Sequence, residues 1–186
     1  MFKLFIIASC FWLASISFPP KGIDFEDKTL KKEIQKIGGT ESPEWEEISF
    51  PEANSVQGKF FILPGLNKMK KYIYVGRVNS CRAGGCSNPA LPSIGIETSE
   101  YFDYLVVFDT NLSVQQVKIY NYQATHGQEV TNKGWLKQFQ GYNGSRSLAV
   151  GKNIDAISGA TVSVLAITND IQEKTQLLKQ IVGEEN

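Results

Sequence analysis

The sequence lacks an excess of charge of either sign, because 19 Lys and Arg residues balance 19 Asp and Glu residues. Proteins that bind nucleic acid or an anionic membrane surface through charge carry a basic excess, so we expect no nucleic-acid partner. Histidine is also scarce, with His126 as the single one. One histidine and few cysteines fall short of a four-ligand zinc site. The chain has no Cys-x-x-Cys-His for haem attachment and no Gly-x-Gly-x-x-Gly for a nicotinamide cofactor.

A hydrophobic run long enough to cross a bilayer is missing at the N-terminus. The apolar run from Leu4 to about Ile16 is shorter than the roughly 20 residues of a membrane span. Lys3 precedes this run and the small residue Ser17 follows it, the layout of a secretory signal peptide. We therefore predict a signal peptide over residues 1–17 and export to the periplasm or the outer face of the cytoplasmic membrane. A buried N-terminal strand or helix is the alternative.

Three cysteines are present, and export changes what they indicate. Cys10 follows Ile-Ala-Ser, which resembles a lipoprotein cleavage site and leaves a lipid anchor open. If Cys10 is removed with the signal, Cys81 and Cys86 remain as an even pair in "NSCRAGGCSNP". An even pair in an oxidising compartment favours a local disulfide. The alternative is a redox-active dithiol, with Arg82 favouring the thiolate.

The amino-acid composition and the predicted secondary structure change near residue 59. Residues 18–58 contain a predicted amphipathic helix in "DKTLKKEIQKIGG" and an acidic, proline-interrupted linker. From residue 59 to 186, "KFFIL", "KKYIYVGRV", "YLVVFDT" and "VQQVKIYNY" have the aromatic and β-branched composition of strands. The turn "DTNLS" predicts a hairpin between the last two. Strands followed by a long helix predict an α+β fold with an antiparallel sheet and a C-terminal helix.

Two helices are predicted after the strands. In "TNKGWLKQFQG", Trp135 and Phe139 lie on one side of a short helix and are assigned to the core rather than to a ring-stacking platform. In the C-terminal helix, Asp170 and Glu173 are predicted on the exposed face. Its predicted apolar stripe recurs at three- and four-residue steps and consists of Ala160, Val164, Ile167, Ile171, Leu178 and Val182.

The start of that helix lies in "NIDAISGATVSVLAI" and is unusually small and hydroxylated. Ser158 is predicted as the N-cap, with Gly159, Ala160 and Thr161 in the first turn. Amide groups in a first turn have no intrahelical partner, and the helix dipole places partial positive charge there. The segment is therefore either an ordinary helix cap or a site for an anion such as phosphate.

The pattern Asp155-x-x-Ser158-Gly159-Ala160-Thr161 resembles the flavinylation signature of the FMN-binding domain family. That family includes the G subunit of Rnf electron-transport complexes, the C subunit of the sodium-pumping NADH:quinone reductase and NosR-type regulators. The resemblance implies that Thr161 carries FMN through a phosphoester bond made from FAD by a magnesium-dependent flavin transferase. It also implies that Asp155, Ser158, Gly159 and Ala160, with Ser163 beside them, surround the phosphate.

The resemblance covers roughly residues 72–182 and is broken at one turn. Many family members have Glu-Thr-Pro-Gly near the flavin ring, where this chain has Ala124-Thr125-His126-Gly127. Thr125 and His126 are candidate flavin contacts at this turn. His126 is interpreted either as a solvated loop residue, the favoured alternative, or as a flavin-edge contact or proton donor.

Together these features predict an exported flavoprotein with covalent FMN that carries electrons, rather than a stand-alone enzyme. Its expected partners are a flavin transferase and a membrane-bound or extracytoplasmic redox protein. Two alternatives remain: a thiol–disulfide oxidoreductase that uses Cys81 and Cys86, and a non-redox binding module with the same fold.

Overall fold

The computed structural model of the protein describes residues 22–41, 43–50, 57–64, 70–82 and 99–184. These residues form a five-stranded antiparallel sheet with a helix on each face. The predicted α+β class, with an antiparallel sheet and a long C-terminal helix, is confirmed. The predicted signal peptide and Cys10 lie outside the described residues. Within the described residues, no helix combines the length and apolar character that a membrane span requires.

The helices and strands follow one another along the chain, with two short 3-10 helices on either side of α2. Their bounds are α1 Lys28–Gly38, β1 Glu46–Glu47, β2 Gly58–Pro64, β3 Lys70–Arg82, β4 Ser99–Phe108, β5 Val114–Tyr122, the 3-10 helix Gln128–Thr131, α2 Lys133–Leu136, the 3-10 helix Lys137–Phe139, and α3 Thr161–Glu184.

Side chains of the central strands alternate between two apolar layers, because successive residues in a strand point to opposite faces. One layer contains Phe60, Tyr74 and Phe102 and is covered by α3. The other contains Phe61 and Leu105 and is covered by α1. The strands are hydrogen-bonded in sequence order, β1-β2-β3-β4-β5. The antiparallel pairing of β4 with β5 confirms the predicted hairpin.

Helix α1 is capped at both ends. The Asp27 carboxylate accepts hydrogen bonds from the amides of Thr29 and Leu30, and Gly39 takes the left-handed conformation that ends the helix. Leu30 and Ile34 are buried against the sheet. The amphipathic helix predicted before the acidic segment is therefore confirmed.

The acidic segment after α1 differs from the linker that the sequence predicts. Strand β1 pairs with β2 at the edge of the sheet. The Trp45 ring stacks on Phe61 at 4.3 Å between centroids, and Ile48 is buried. The interpretation of this segment as carrying no core element is wrong. Trp45 and Ile48 pack on the sheet, but they stand among prolines and glutamates and show no helical or strand periodicity, so the sequence pattern does not reveal them.

The short helix α2 begins after Asn132 and confirms its predicted core residues. The Asn132 side chain accepts hydrogen bonds from the amides of Gly134 and Trp135. Trp135, Leu136 and Phe139 are buried in the same apolar layer that α3 covers. Trp135 and Phe139 pack edge to face, with centroids 5.4 Å apart. Both aromatic rings therefore belong to the core.

Helix α3 buries most of its predicted apolar stripe, but one polar residue is not where the pattern puts it. The helical pattern predicts Asp170 on the exposed face, but its carboxylate accepts a hydrogen bond from the Tyr104 hydroxyl and pairs with Lys174 at 3.1 Å. Lys174 is only 5% exposed. Helical spacing alone cannot predict this, because the carboxylate is drawn inward by two buried partners from the sheet and the next helical turn.

Burial shifts the pKa values of the three side chains in this contact, Asp170, Lys174 and Tyr104. It raises the pKa of Asp170, an effect that the Lys174 ammonium and the Tyr104 hydroxyl oppose. For Lys174, desolvation alone would lower the pKa, but attraction to Asp170 and hydrogen bonds to Glu173 and Asp170 raise it. Burial, together with the Asp170 charge, raises the pKa of the Tyr104 phenol well above its ordinary value.

Tyr104 makes stability sensitive to alkaline pH. Because its pKa is raised in the folded state, the unfolded chain loses this proton first, near pH 10. Its contribution to stability is complete below pH 10 and falls as pH rises above it, by up to about 1.4 kcal/mol per pH unit. We expect Tyr104→Phe to flatten the fall in unfolding free energy above pH 10, measured by urea denaturation. Equal slopes for the two proteins would contradict this assignment.

Candidate functional site

The segment before α3 forms a tight turn rather than the first turn of a helix. The Ala160 amide donates to the Ile157 carbonyl at 3.1 Å, and Gly159 has φ +81°, in the left-handed region. Helix α3 begins at Thr161. The prediction of Ser158 as N-cap, with Gly159 and Ala160 in the helix, is therefore wrong. The turn spans residues 157–160, and positive φ at its third residue, Gly159, is the feature of a type II turn that favours glycine.

The first turn of α3 has free donors at its start. The first helical hydrogen bond runs from the Val164 amide to the Ala160 carbonyl at 2.9 Å. The amides of Thr161, Val162 and Ser163 precede it and have no intrahelical partner. Ala160 in the capping position has no side-chain oxygen to accept from them. These amides and the helix dipole together give this end partial positive charge.

The motif residues divide into an exposed and a buried set. Asp155, Ser158, Gly159 and Thr161 are exposed, and a methyl group added to Gly159 would meet no atom within 4 Å. Ala160 and Ser163 are buried, each 2% exposed. The hydroxyl-bearing face of the motif is thus open, while the other side is packed into the protein.

The loop that carries the motif is fixed by side chains from the α2 region. The Gln138 side chain accepts a hydrogen bond from the Asp155 amide at 2.8 Å, and the Trp135 indole donates to the Asp155 carbonyl at 2.9 Å. Ile154, next to Asp155, is buried. The backbone of Asp155 is therefore held in place, and its carboxylate lies on the exposed side.

A cluster of hydroxyl groups lies beneath the start of α3. The Ser163 and Ser80 hydroxyls are 2.6 Å apart, which links α3 to the end of β3. Burial raises the pKa of Tyr122, at the end of β5, and hydrogen bonds with Ser163 and Ser80 oppose the rise. The Tyr122 ring also stacks on Phe102 at 5.6 Å. The ends of three strands therefore support the N-terminus of α3.

The turn after β5 approaches the same place. Tyr122 donates its hydroxyl hydrogen to the His126 carbonyl at 2.5 Å. Gly127 has φ +83°, and a methyl group on it would lie 2.7 Å from the Ser163 hydroxyl oxygen and 3.4 Å from the Ala160 Cα. Thr125 and His126 are both exposed. The structure thus brings the predicted contact turn, Thr125 to Gly127, beside the predicted attachment motif.

Sequence analysis missed three residues at this end of the sheet: Ser80, Glu100 and Tyr122. They lie at strand ends and carry no motif, and only the pairing of the strands brings them together. The side chain of Cys81 and the whole of Cys86 lie outside the part of the chain that the structure describes, as does the predicted disulfide.

Two cavities lie away from this end of α3. One of about 250 Å³ lies between α1, β5 and α2 and is lined by four lysines: Lys36, Lys118, Lys133 and Lys137. The other, of about 180 Å³, lies beside the buried Arg77–Asp103 ion pair. Neither is lined by a residue of the 155–163 motif. In the described ranges, no group of three His, Cys, Asp or Glu side chains is arranged to hold a metal ion.

The close approach of Gly127 to α3 gives a stability prediction with a matched control. Gly127 and Gly141 both have left-handed φ, but a methyl group on Gly141 would meet no atom within 4 Å. Alanine at either position costs about 1–2 kcal/mol for its backbone conformation. We expect Gly127→Ala to cost about 1–3 kcal/mol more, because it also crowds the buried Ser163 hydroxyl. Equal losses in urea denaturation would show that the contact is not tight.

Comparison with known proteins identifies the segment that carries this site. A search of curated proteins finds no significant match. Residues 100–176, from β4 through the motif to the middle of α3, match the model of the FMN-binding domain. The match supports a flavin-binding role for this end of the molecule. The segment from β4 to the middle of α3 is therefore similar to the FMN-binding domain family.

Proposed function

We propose that this protein is an exported flavoprotein that carries FMN on Thr161 through a phosphoester bond and passes electrons between redox partners. The family match supports the flavin itself. The observation that carries the attachment residue is the exposure of Thr161 at the first position of α3, beside the open space around Gly159. An exposed hydroxyl on a fixed backbone is what a modifying enzyme needs.

The start of α3 fits a phosphate group. A phosphate esterified to both the flavin side chain and a threonine keeps a negative charge. The free amides of Thr161, Val162 and Ser163 lie directly beside that hydroxyl, and the helix dipole favours an anion there. A plain helix cap would instead place a serine, threonine or aspartate side chain before Thr161, where this chain has Ala160.

The exposed face of α3 offers apolar contact to a tethered ring. Leu165 is 43% exposed and is the large apolar side chain that the described residues leave most open. It lies four residues after Thr161, on the same face of the helix and one turn away. A single exposed leucine is ordinary, but its position next to the attachment residue suits a flavin ring or the surface of a redox partner.

The division of labour follows from this arrangement. When bound, the flavin supplies one- and two-electron transfer, and the protein supplies attachment, orientation and electrostatics. A cofactor tethered on an exposed hydroxyl remains accessible to a second protein, which favours an electron carrier over an enzyme with an enclosed substrate site. The proposed partners are a flavin transferase and a membrane-bound or extracytoplasmic redox protein.

Export, proposed from the N-terminal segment, gives the covalent bond a purpose. A dissociable flavin would be lost by diffusion outside the cytoplasm, whereas an esterified one stays with its protein. The proposed signal peptide, residues 1–17, lies outside the described residues, and this part of the proposal rests on the sequence pattern of a basic residue, a short apolar core and small residues.

A second candidate function involves the cysteines. Cys81 follows Ser80 in β3, and the Ser80 hydroxyl lies 2.6 Å from that of Ser163 at the start of α3. The backbone of Cys81 therefore lies beside the proposed flavin site. A dithiol there could exchange electrons with the flavin or act alone as a thiol–disulfide oxidoreductase.

The attachment residue is tested by the intact mass of the denatured protein after export from cells that also express a flavin transferase. We expect the wild type to gain the mass of one FMN less one water. Thr161→Val removes the hydroxyl while keeping the shape of the side chain, and we expect it to abolish the gain. Thr161→Ser keeps a hydroxyl and should remain modified.

Thr168→Val is the matched control, because it makes the same substitution at a buried threonine of α3 whose hydroxyl has no hydrogen-bond partner among the described residues, and it should still acquire the flavin. A known flavinylated protein expressed alongside shows that the transferase works. An unmodified wild type under those conditions would contradict the attachment and favour a non-redox module, as would unchanged flavin content in Thr161→Val.

The role of the cysteines is tested by replacing Cys81 and Cys86 together with serine. If the pair is structural, we expect lower thermal stability with the rate of flavin reduction by a chemical reductant unchanged. A loss of electron transfer to a disulfide substrate, with stability and flavin content intact, would favour the thiol–disulfide function instead.

A further inference from the structure

A chain of hydrogen bonds connects a buried carboxylate to the exposed histidine of the turn after β5. The Thr125 hydroxyl donates to the Glu100 Oε1 atom at 2.5 Å. The same hydroxyl oxygen lies 2.8 Å from Nδ1 of His126. Glu100 is 9% exposed and lies at the start of β4, whereas His126 is exposed. The chain therefore runs from the protein interior to the solvent through one threonine.

The chemistry of these groups fixes where the hydrogens lie. An ionised carboxylate only accepts hydrogen bonds, and a hydroxyl has a single hydrogen to donate. Because Thr125 gives that hydrogen to Glu100, its oxygen can only accept from His126. In the neutral imidazole the hydrogen is then on Nδ1, which leaves the lone pair on Nε2.

The Glu100 carboxylate has an oxygen that could accept a further hydrogen bond, which indicates a role beyond packing. Its second carboxylate oxygen, Oε2, is buried and has no hydrogen-bond partner among the described residues. A buried carboxylate is costly unless a donor or positive charge faces it. Thr125 and, through it, the Nδ1–H group of His126 are the donors directed at this carboxylate. The neutral and the cationic imidazole both carry that Nδ1–H group.

The hydrogen-bonded residues Glu100, Thr125 and His126 lie beside the proposed attachment site. His126 precedes Gly127, whose Cα carries no side chain and approaches both Ala160 and Ser163. Ala160 precedes Thr161, where α3 begins. The His126 carbonyl is also held by the Tyr122 hydroxyl at 2.5 Å, so the backbone of the turn is fixed independently of the imidazole.

We propose that Glu100 and Thr125 are positioning residues that hold His126 with its hydrogen on Nδ1, so that Nε2 transfers the proton that accompanies reduction of the bound flavin. This inference rests on the proposed function, since it assigns a proton donor to the flavin that Thr161 would carry.

Proton transfer from His126 accompanies electron transfer to the flavin. A reduced donor, a one- or two-electron redox protein, delivers electrons to the flavin. The Nε2–H bond of the His126 imidazolium breaks and its proton passes to the flavin. The imidazole of His126 is then neutral and keeps its hydrogen on Nδ1. Solvent then returns a proton to Nε2. Since Nδ1–H stays bonded to Thr125 throughout, no tautomer change is needed between cycles.

The first test needs no flavin. His126 is the single histidine, so a long-range ¹H–¹⁵N NMR spectrum at a pH where the ring is neutral reports its tautomer without assignment. We expect the hydrogen on Nδ1 in the wild type and in Thr125→Ser, which keeps the hydroxyl. Thr125→Val should shift the population to the Nε2–H form that an unconstrained histidine side chain prefers. A wild-type ring with its hydrogen on Nε2 would overturn the proposal, whether or not flavin is attached.

The second test measures proton uptake in flavin-loaded protein, with loading verified by intact mass for each variant. A laser flash on a deazaflavin photosensitiser delivers electrons faster than protons follow, and absorbance then resolves the first-order proton uptake. We expect His126→Gln to slow it by about 10²-fold, the lower end for a positioned acid. Thr125→Val should slow proton uptake roughly tenfold, because it removes only the positioning part of the His126 contribution. Thr125→Ser should restore the wild-type rate.

Each remaining outcome decides the proposal. Equal proton-uptake rates in the wild type and in His126→Gln would overturn it even if the tautomer is as expected. Loss of flavin from every variant and from the wild type would contradict the proposed function, while the NMR result would still decide the hydrogen-bond chain. Thr131→Val, which removes a hydroxyl that bonds only to the Gln128 carbonyl, controls for general effects of losing a threonine hydroxyl.

Discussion

The packing of α3 on the sheet is the constraint on which the rest of the structure depends. Its apolar stripe covers one layer of the core, and the group formed by Tyr104, Asp170 and Lys174 adds a polar contact inside that interface. Apolar burial is not directional, but a buried ion pair with a hydrogen-bonded phenol is satisfied in only one rotation of the helix. The helix is thereby fixed in rotation and along its axis. The place of its N-terminus follows.

That N-terminus is packed on one side and open on the other, which makes it the candidate site. Ser163 and Ala160 are packed against Ser80, Tyr122 and Gly127, while Thr161 lies on the exposed side. The free amides of the first turn are therefore held still next to an accessible hydroxyl. Preorganised donors of this kind stabilise an anion without the free-energy cost of ordering a loop when it binds. The turn at residues 125–127, held by strand ends, brings a histidine to the same place.

Much of this arrangement could be predicted from the sequence, and the failures have physical causes. Strand composition, the "DTNLS" turn, the amphipathic pattern of α1 and the stripe of α3 are local signals, and all are confirmed. The helix start was misplaced because serine is a good cap, and only the backbone conformation of Gly159 shows that the turn precedes the helix. The inward turn of Asp170 and the Glu100–Thr125 contact depend on partners distant in sequence. No periodicity encodes such pairs.

The most direct measurement for this account is the position of the flavin within the chain. Trypsin would release residues 153–174 as one peptide, which contains the hydroxyls of Ser158, Thr161, Ser163 and Thr168. Tandem mass spectrometry of that peptide from exported, flavin-loaded protein locates the modification. The account predicts FMN on Thr161, the exposed hydroxyl that follows the turn. FMN on another residue, or a peptide without flavin when the transferase is active, would contradict it.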